Sequence, residues 1–195
     1  MILDIPYNEF YQYFQNIVRN DNHWFFTPRK VGMSTCGINY ILKYCSDNKT
    51  NGVYIYPFEK YCDSFLNSKN IDWNGWSAYT KYVFKKDGNS IFVTDKCSKF
   101  LYNYKNLDIT IFIFDEFSHK LNFPDNIEIL NDKNVKTIFL ETNTNEKLID
   151  VKRIYNNILY NKNLILHYLT INDFLNIKRV LRKEKIIELF GDEIK

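Results

Sequence analysis

Apolar residues recur at helical spacing over residues 7–18, where Phe10, Phe14, Ile17 and Val18 share one side, and this predicts an amphipathic helix. The next apolar run, 23–26, stops at Thr27-Pro28. A proline does not continue a sheet ladder, so a strand is expected there. A second helix is expected over 34–44, a buried strand over 53–56, and a further helix opening at Pro57, a residue suited to a first helical position. Residues 82–86 and 90–94 flank Asp87-Gly88 and read as a hairpin with a tight turn. Residues 108–114, β-branched and aromatic, read as a strand buried on both faces; 136–140 and 164–169 are two more strands. Helical spacing returns over 145–160 and over 174–190, the latter with a charged outer face. Strands alternating with helices imply an α/β fold, a mainly parallel sheet with right-handed crossovers.

Composition narrows the class. The chain has 195 residues and 23.5 kDa, enough to bury one core without disulfides, and it shows no internal repeat or linker. With 45% hydrophobic and 25% charged residues it is neither disordered nor collagen-like. Aromatics reach 17%, and Asn, Ile, Lys and Tyr are all abundant. These four have A/T-rich codons, so genome composition accounts for part of the bias, and each aromatic need not be a stacking platform. A net charge of +3 permits a nucleic-acid partner without requiring one. Cys36, Cys45, Cys62 and Cys97 form no C-x-x-C pair and have no His at zinc-ligand spacing, so reduced, mostly buried thiols are expected. Asp4 and Pro6 interrupt the apolar start, and the longest apolar stretch, 109–114, is far short of the ~20 residues a membrane span needs. A soluble intracellular protein without a membrane segment is expected.

Three strand ends carry candidate chemistry. Between the first strand and second helix lies Thr27-Pro28-Arg29-Lys30-Val31-Gly32-Met33-Ser34-Thr35. A helix N-terminus after a strand favours phosphate, because its free N–H groups and dipole face the anion. Gly32 and Ser34 match the last Gly and the Mg²⁺-binding hydroxyl of a P-loop; Met33 stands where the lysine and Thr27 where the first Gly is expected, and Arg29 and Lys30 offer positive charge from within the loop. The strand over 109–114 delivers Asp115-Glu116. In ATP hydrolysis the first such carboxylate holds Mg²⁺ and the second orients water. Successive strand residues point to opposite faces, so the pair can cooperate only if the strand bends or ends at Asp115. The strand over 136–140 is followed by Glu141-Thr142-Asn143-Thr144-Asn145, suited either to sensing a γ-phosphate or to capping the following helix. His23, His119 and His167 have no Ser or Cys partner at a recognisable spacing, which speaks against nucleophilic catalysis. Trp73 and Trp76, around Asn74-Gly75, could stack bases or seal an interface, and a packed loop tip is the favoured reading.

Taken in order, these motifs resemble the ATPase domain of large terminase subunits, the DNA-packaging motors of tailed phages and related viruses. Residues 29–35 resemble that family's deviant P-loop, Arg-Gln-x-Gly-x-Ser/Thr, with Lys30 where Gln is usual. Tyr11-Gln12, about twenty residues upstream of Gly32, resembles the adenine-recognising Tyr-Gln. Asp115-Glu116 resembles Walker B with its catalytic glutamate, residues 87–91 the hairpin before that strand, and residues 142–145 the coupling motif, from which Asn143 and Thr144 depart. Residues 167–170 resemble the segment leading out of the ATPase.

The resemblance implies a P-loop NTPase of the RecA/terminase-like type with a β-hairpin insertion, and a sheet ordered 53–56, 109–114, 135–140, 24–27, 164–169. It implies one ATPase domain over 1–195, with a P-loop core over 1–170 and a helical segment over 171–195 pointing towards a nuclease domain to which nothing here corresponds. ATP and Mg²⁺ would be bound by Tyr11, Gln12, Arg29, Lys30, Gly32, Met33, Ser34 and Thr35, with Ser34 and Asp115 on the metal, Glu116 and Arg29 catalytic, and Thr142 and Asn143 coupling. Implied partners are double-stranded DNA, a portal and a small terminase, in a homo-oligomeric ring in the cytoplasm of an infected cell, transiently at the procapsid portal. An alternative is a catalytically impaired relative, or another P-loop NTPase, acting as a structural or regulatory nucleic-acid-binding component. The basic run Lys178, Arg179, Arg182, Lys183 and Lys185 suits either contact with a DNA backbone or a neighbouring subunit or, diluted by Glu184 and Glu188, a solvated helix face, which is the favoured reading.

Overall fold

The computed structural model describes residues 7–18, 22–28, 31–56, 63, 65–67, 69–116, 129, 132–142, 164–170, 172, 173 and 176. The helix expected over 145–160, nearly all of those expected from Pro57 and over 174–190, the basic run 178–185, and Arg29, Lys30, Asn143 and His119 lie outside these residues.

The elements are α1 (Tyr7–Ile17), β1 (Asn22–Thr27), α2 (Met33–Asn48), β2 (Asn51–Ile55), β3 (Ser77–Thr80), β4 (Val83–Lys86), β5 (Asn89–Thr94), α3 (Cys97–Asn103), β6 (Ile109–Asp115), β7 (Lys136–Thr142) and β8 (Leu164–Tyr168). The eight strands form one sheet ordered β3-β4-β5-β2-β6-β7-β1-β8. Pairing is parallel from β5 through β8, and antiparallel only for β3–β4 and β4–β5. The protein is therefore α/β, with a mostly parallel mixed sheet flanked by helices. The five strands β2, β6, β7, β1 and β8 stand in the order that the resemblance implies, an order compatible with but not specific to a P-loop fold.

The hairpin forms where Asp87-Gly88 predicts it, with both residues at positive φ (50° and 85°), the backbone of a tight primed turn. It is not a separate insertion, however. Its second strand pairs in parallel with β2 from Gly52↔Ile91 to Ile55↔Thr94, so the hairpin widens the main sheet. Asn51 fixes that junction. Its amide nitrogen donates to the Leu107 carbonyl at 2.8 Å, and its Oδ1 accepts the Ser90 N–H at 2.6 Å, which ties the start of β2 to the starts of β5 and β6.

Alternation along the strands builds a core on each face of the sheet. Phe25, Tyr54, Ile111, Ile113, Ile138 and Leu140 pack against Phe14 of α1 and Cys36, Ile38, Ile41 and Cys45 of α2. Trp24, Phe26, Val53, Phe112, Phe114 and Phe139 pack with Leu101 of α3 and with Tyr104 and Val135 on the other face. Much of the aromatic excess is thus spent inside: Phe114 and Phe139 lie 4.9 Å apart and Trp24 and Phe139 5.3 Å. Trp73 stacks on Phe84 at 4.4 Å, and Trp76 is buried with its indole N–H donated to the Leu42 carbonyl, in keeping with a packed loop tip. Cys36 and Cys45 are buried and unbridged. No helix among the described residues is long and apolar enough to cross a membrane.

Candidate active site

The parallel strands all point their carboxyl ends to one edge, the side on which open α/β sheets hold ligands. Three of the sequence candidates meet there. β1 ends at Thr27, register-paired with Thr142, the last residue of β7. β6 ends at Asp115, paired with Leu140. Residues paired across a sheet share a face, so Asp115 and Thr142 both project towards α2, in line with Ile113, Ile138 and Leu140.

The chain enters α2 through Gly32, at φ 83° and ψ 17°, a left-handed conformation that a side chain would strain. Its N-cap residue, Gly32, makes no side-chain cap, and no acidic residue occupies the first turn of this sixteen-residue helix. Its N-terminal N–H groups and dipole therefore meet no protein anion from their own helix. A Cβ at Gly32 would have no heavy atom within 4 Å, so the loop is open at that point. Met33, at the position of a P-loop lysine, has its side chain buried in the core, which leaves its backbone N–H as its contribution to the edge. Ser34 and Thr35 are half-buried in the first turn.

Asp115 is 4% exposed and receives a hydrogen bond from Tyr54, Oη to Oδ2 at 2.8 Å. The same hydroxyl lies 3.0 Å from the Ser34 carbonyl. Burial first, and then the neighbouring Asp115 charge, push the Tyr54 hydroxyl well above the usual tyrosine range, so it remains a donor to the carboxylate.

Glu116 resolves the difficulty posed by two adjacent carboxylates. The ladder ends with its N–H donated to the Leu140 carbonyl at 2.7 Å, and its φ is then 51°, a left-handed value. Its Oε1 accepts a hydrogen bond from the Thr142 hydroxyl. Since Thr142 lies on the α2 face, the bend returns Glu116 to the side that Asp115 already occupies. A non-glycine residue in this conformation costs about 1–2 kcal/mol, and strain of this kind gathers at functional sites.

β7 runs two residues beyond its expected end. Glu141 is therefore a strand residue, 2% exposed, and Thr142 is a strand end rather than part of a loop. Tyr11 and Gln12 lie on α1. Tyr11 packs on α2 half-buried, its hydroxyl pushed up to about 12 by burial against a weaker opposing hydrogen bond from Gln15, and Gln12 is exposed. Sequence reasoning missed Tyr54 and the burial of Glu141. Neither carries a motif, and only the pairing of β2 with β6 brings Tyr54 to Asp115.

Among the described residues no group of three or more His, Cys, Asp or Glu side chains is placed to hold a metal. No protein-family model and no curated protein matches this chain.

Proposed function

We propose that this carboxyl edge binds ATP with Mg²⁺ and hydrolyses it, and that the chain is the motor domain of a large-terminase-like engine that drives double-stranded DNA into a viral procapsid. The observation that carries this is the left-handed turn at Glu116, which brings a second carboxylate beside the buried Asp115, facing a glycine-led helix.

The N–H groups following Gly32 would cradle the β- and γ-phosphates. The Ser34 hydroxyl and Asp115 would hold Mg²⁺, which neutralises phosphate charge during transfer. Glu116 orients a water for in-line attack on the γ-phosphorus. The new P–O bond forms as the bond to the ADP oxygen breaks, and the proton of the water leaves towards the carboxylate or the phosphate. Met33 carries no charge, so the cation would come from another residue. Arg29 is assigned this role, since a guanidinium grips phosphate oxygens bidentately, with Lys30 as its neighbour. Thr142, bonded to Glu116, would report the state of the γ-phosphate to a DNA-gripping element, with Asn143 beside it. Portal, small terminase and a ring of like subunits complete the assembly in the cytoplasm of an infected cell.

Met33 also favours a second reading, a relative that binds nucleotide without turnover and serves a structural or regulatory role on nucleic acid. Steady-state ATP hydrolysis with Mg²⁺, with and without double-stranded DNA, separates the two. A motor shows turnover that rises with DNA, whereas ATP binding with no turnover under either condition supports the impaired relative.

A further inference from the structure

Tyr54 is 0% exposed, and its ring stacks on Phe65 with centroids 5.7 Å apart, an environment that phenylalanine would fill equally well. Burying a hydroxyl is costly unless it is hydrogen-bonded, so the oxygen calls for its own explanation. It touches two things: Asp115 Oδ2 at 2.8 Å and the Ser34 carbonyl oxygen at 3.0 Å. Tyr54 pairs with Ile113 across β2–β6, so Asp115 is its diagonal neighbour on the same face, a span that a ring bearing a terminal hydroxyl bridges.

Gly37 makes room for this bridge. A Cβ at that position would fall 2.6 Å from Leu140 Cδ1, 3.2 Å from Tyr54 Cε2 and 3.4 Å from its hydroxyl oxygen. The bare glycine lets α2 close over the hydroxyl, which then joins the end of β6 to the first turn of α2.

We propose that Tyr54 is a positioning residue for a divalent-cation site: by engaging Oδ2 it fixes the rotation of the Asp115 carboxylate and its distance from the Ser34 turn. The role rests on the edge being a Mg²⁺–nucleotide site. Groups that orient a ligating carboxylate matter because the ligand set must be in place before the ion arrives. Their loss costs metal affinity roughly 10–100-fold.

The probe is Mn²⁺, followed by electron paramagnetic resonance in the presence of a non-hydrolysable ATP analogue. For Tyr54→Phe the Mn²⁺ affinity of the protein–nucleotide complex should fall about tenfold or more. Affinity for the nucleotide in excess chelator, and the circular dichroism spectrum, should match the unsubstituted protein. A purely structural role would not move the metal-dependent quantity alone. Asp115→Asn sets the floor of the measurement. If Tyr54→Phe holds Mn²⁺ as the unsubstituted protein does, Tyr54 is packing only and the proposal falls while the nucleotide site stands. If the unsubstituted protein itself holds no Mn²⁺ with nucleotide, the site reading falls and this proposal with it. Should Tyr54→Phe fail to fold, Tyr54→Met puts the same question with an unbranched apolar chain in the slot.

Discussion

Two glycines at α2 do opposite jobs, and a methyl group tells them apart. Gly32 needs its left-handed φ of 83°, with open space around it, so Gly32→Ala should cost about 1–2 kcal/mol through backbone strain alone. Gly37 lies inside the helix, where alanine is intrinsically better by about 1 kcal/mol. There the added Cβ meets Leu140 Cδ1 at 2.6 Å, and overpacking of a filled core costs about 1–3 kcal/mol, so Gly37→Ala should be neutral to destabilising. Urea unfolding checks both. Leu140→Val in the same chain should recover part of the Gly37→Ala loss and none of the Gly32→Ala loss. Equal recovery in the two would show that sterics, not φ, governs Gly32.

At the scale of elements, what was legible in the sequence depended on how local the signal is. The strand over 109–114 announces itself by unbroken β-branched and aromatic residues, and the hairpin by Asp87-Gly88, whose φ values match the turn chemistry. α2 was expected to end near Tyr44 but continues to Asn48, because its last turn carries no glycine or proline stop. β3 was missed. All four of its residues are exposed, so no alternation of burial exists to be read, and its strand state comes from pairing with β4. β7 was read too short because Glu141 and Thr142 are polar. Glu141 is buried on the face opposite α2, where a polar residue gives no apolar signal. The site followed the same rule. Asp115, Glu116 and Gly32 were visible as residue types after strands, whereas Tyr54 entered only through a non-local register.

At the scale of the molecule, β8, the last strand of the sheet among the described residues, is held to β1 partly through a ring cluster. His167 stacks on Phe25 with centroids 4.3 Å apart, and its Nε2 lies 2.9 Å from Nδ1 of the buried His23. Burial lowers the folded-state affinity of His167 for a proton below its ordinary value of 6.5. Between that lowered value and 6.5 the unfolded chain binds more protons, so this contribution to stability is present above 6.5 and is lost as pH falls through the window. The melting temperature should therefore drop on acidification from pH ~7.5 to ~5.5, and drop less in His167→Gln. An unchanged pH dependence in that variant would assign the effect to other groups.

The proposed function rests on one central claim, that Glu116 is the group that turns bound ATP into ADP and phosphate. Phosphate release under single-turnover conditions, comparing the unsubstituted chain with Glu116→Gln in Mg²⁺ and double-stranded DNA, tests it most directly. Loss of a water-orienting carboxylate should slow hydrolysis by roughly 10²-fold or more while ATP still binds. Hydrolysis undiminished in Glu116→Gln, or an unsubstituted chain that binds no ATP in Mg²⁺, would contradict it.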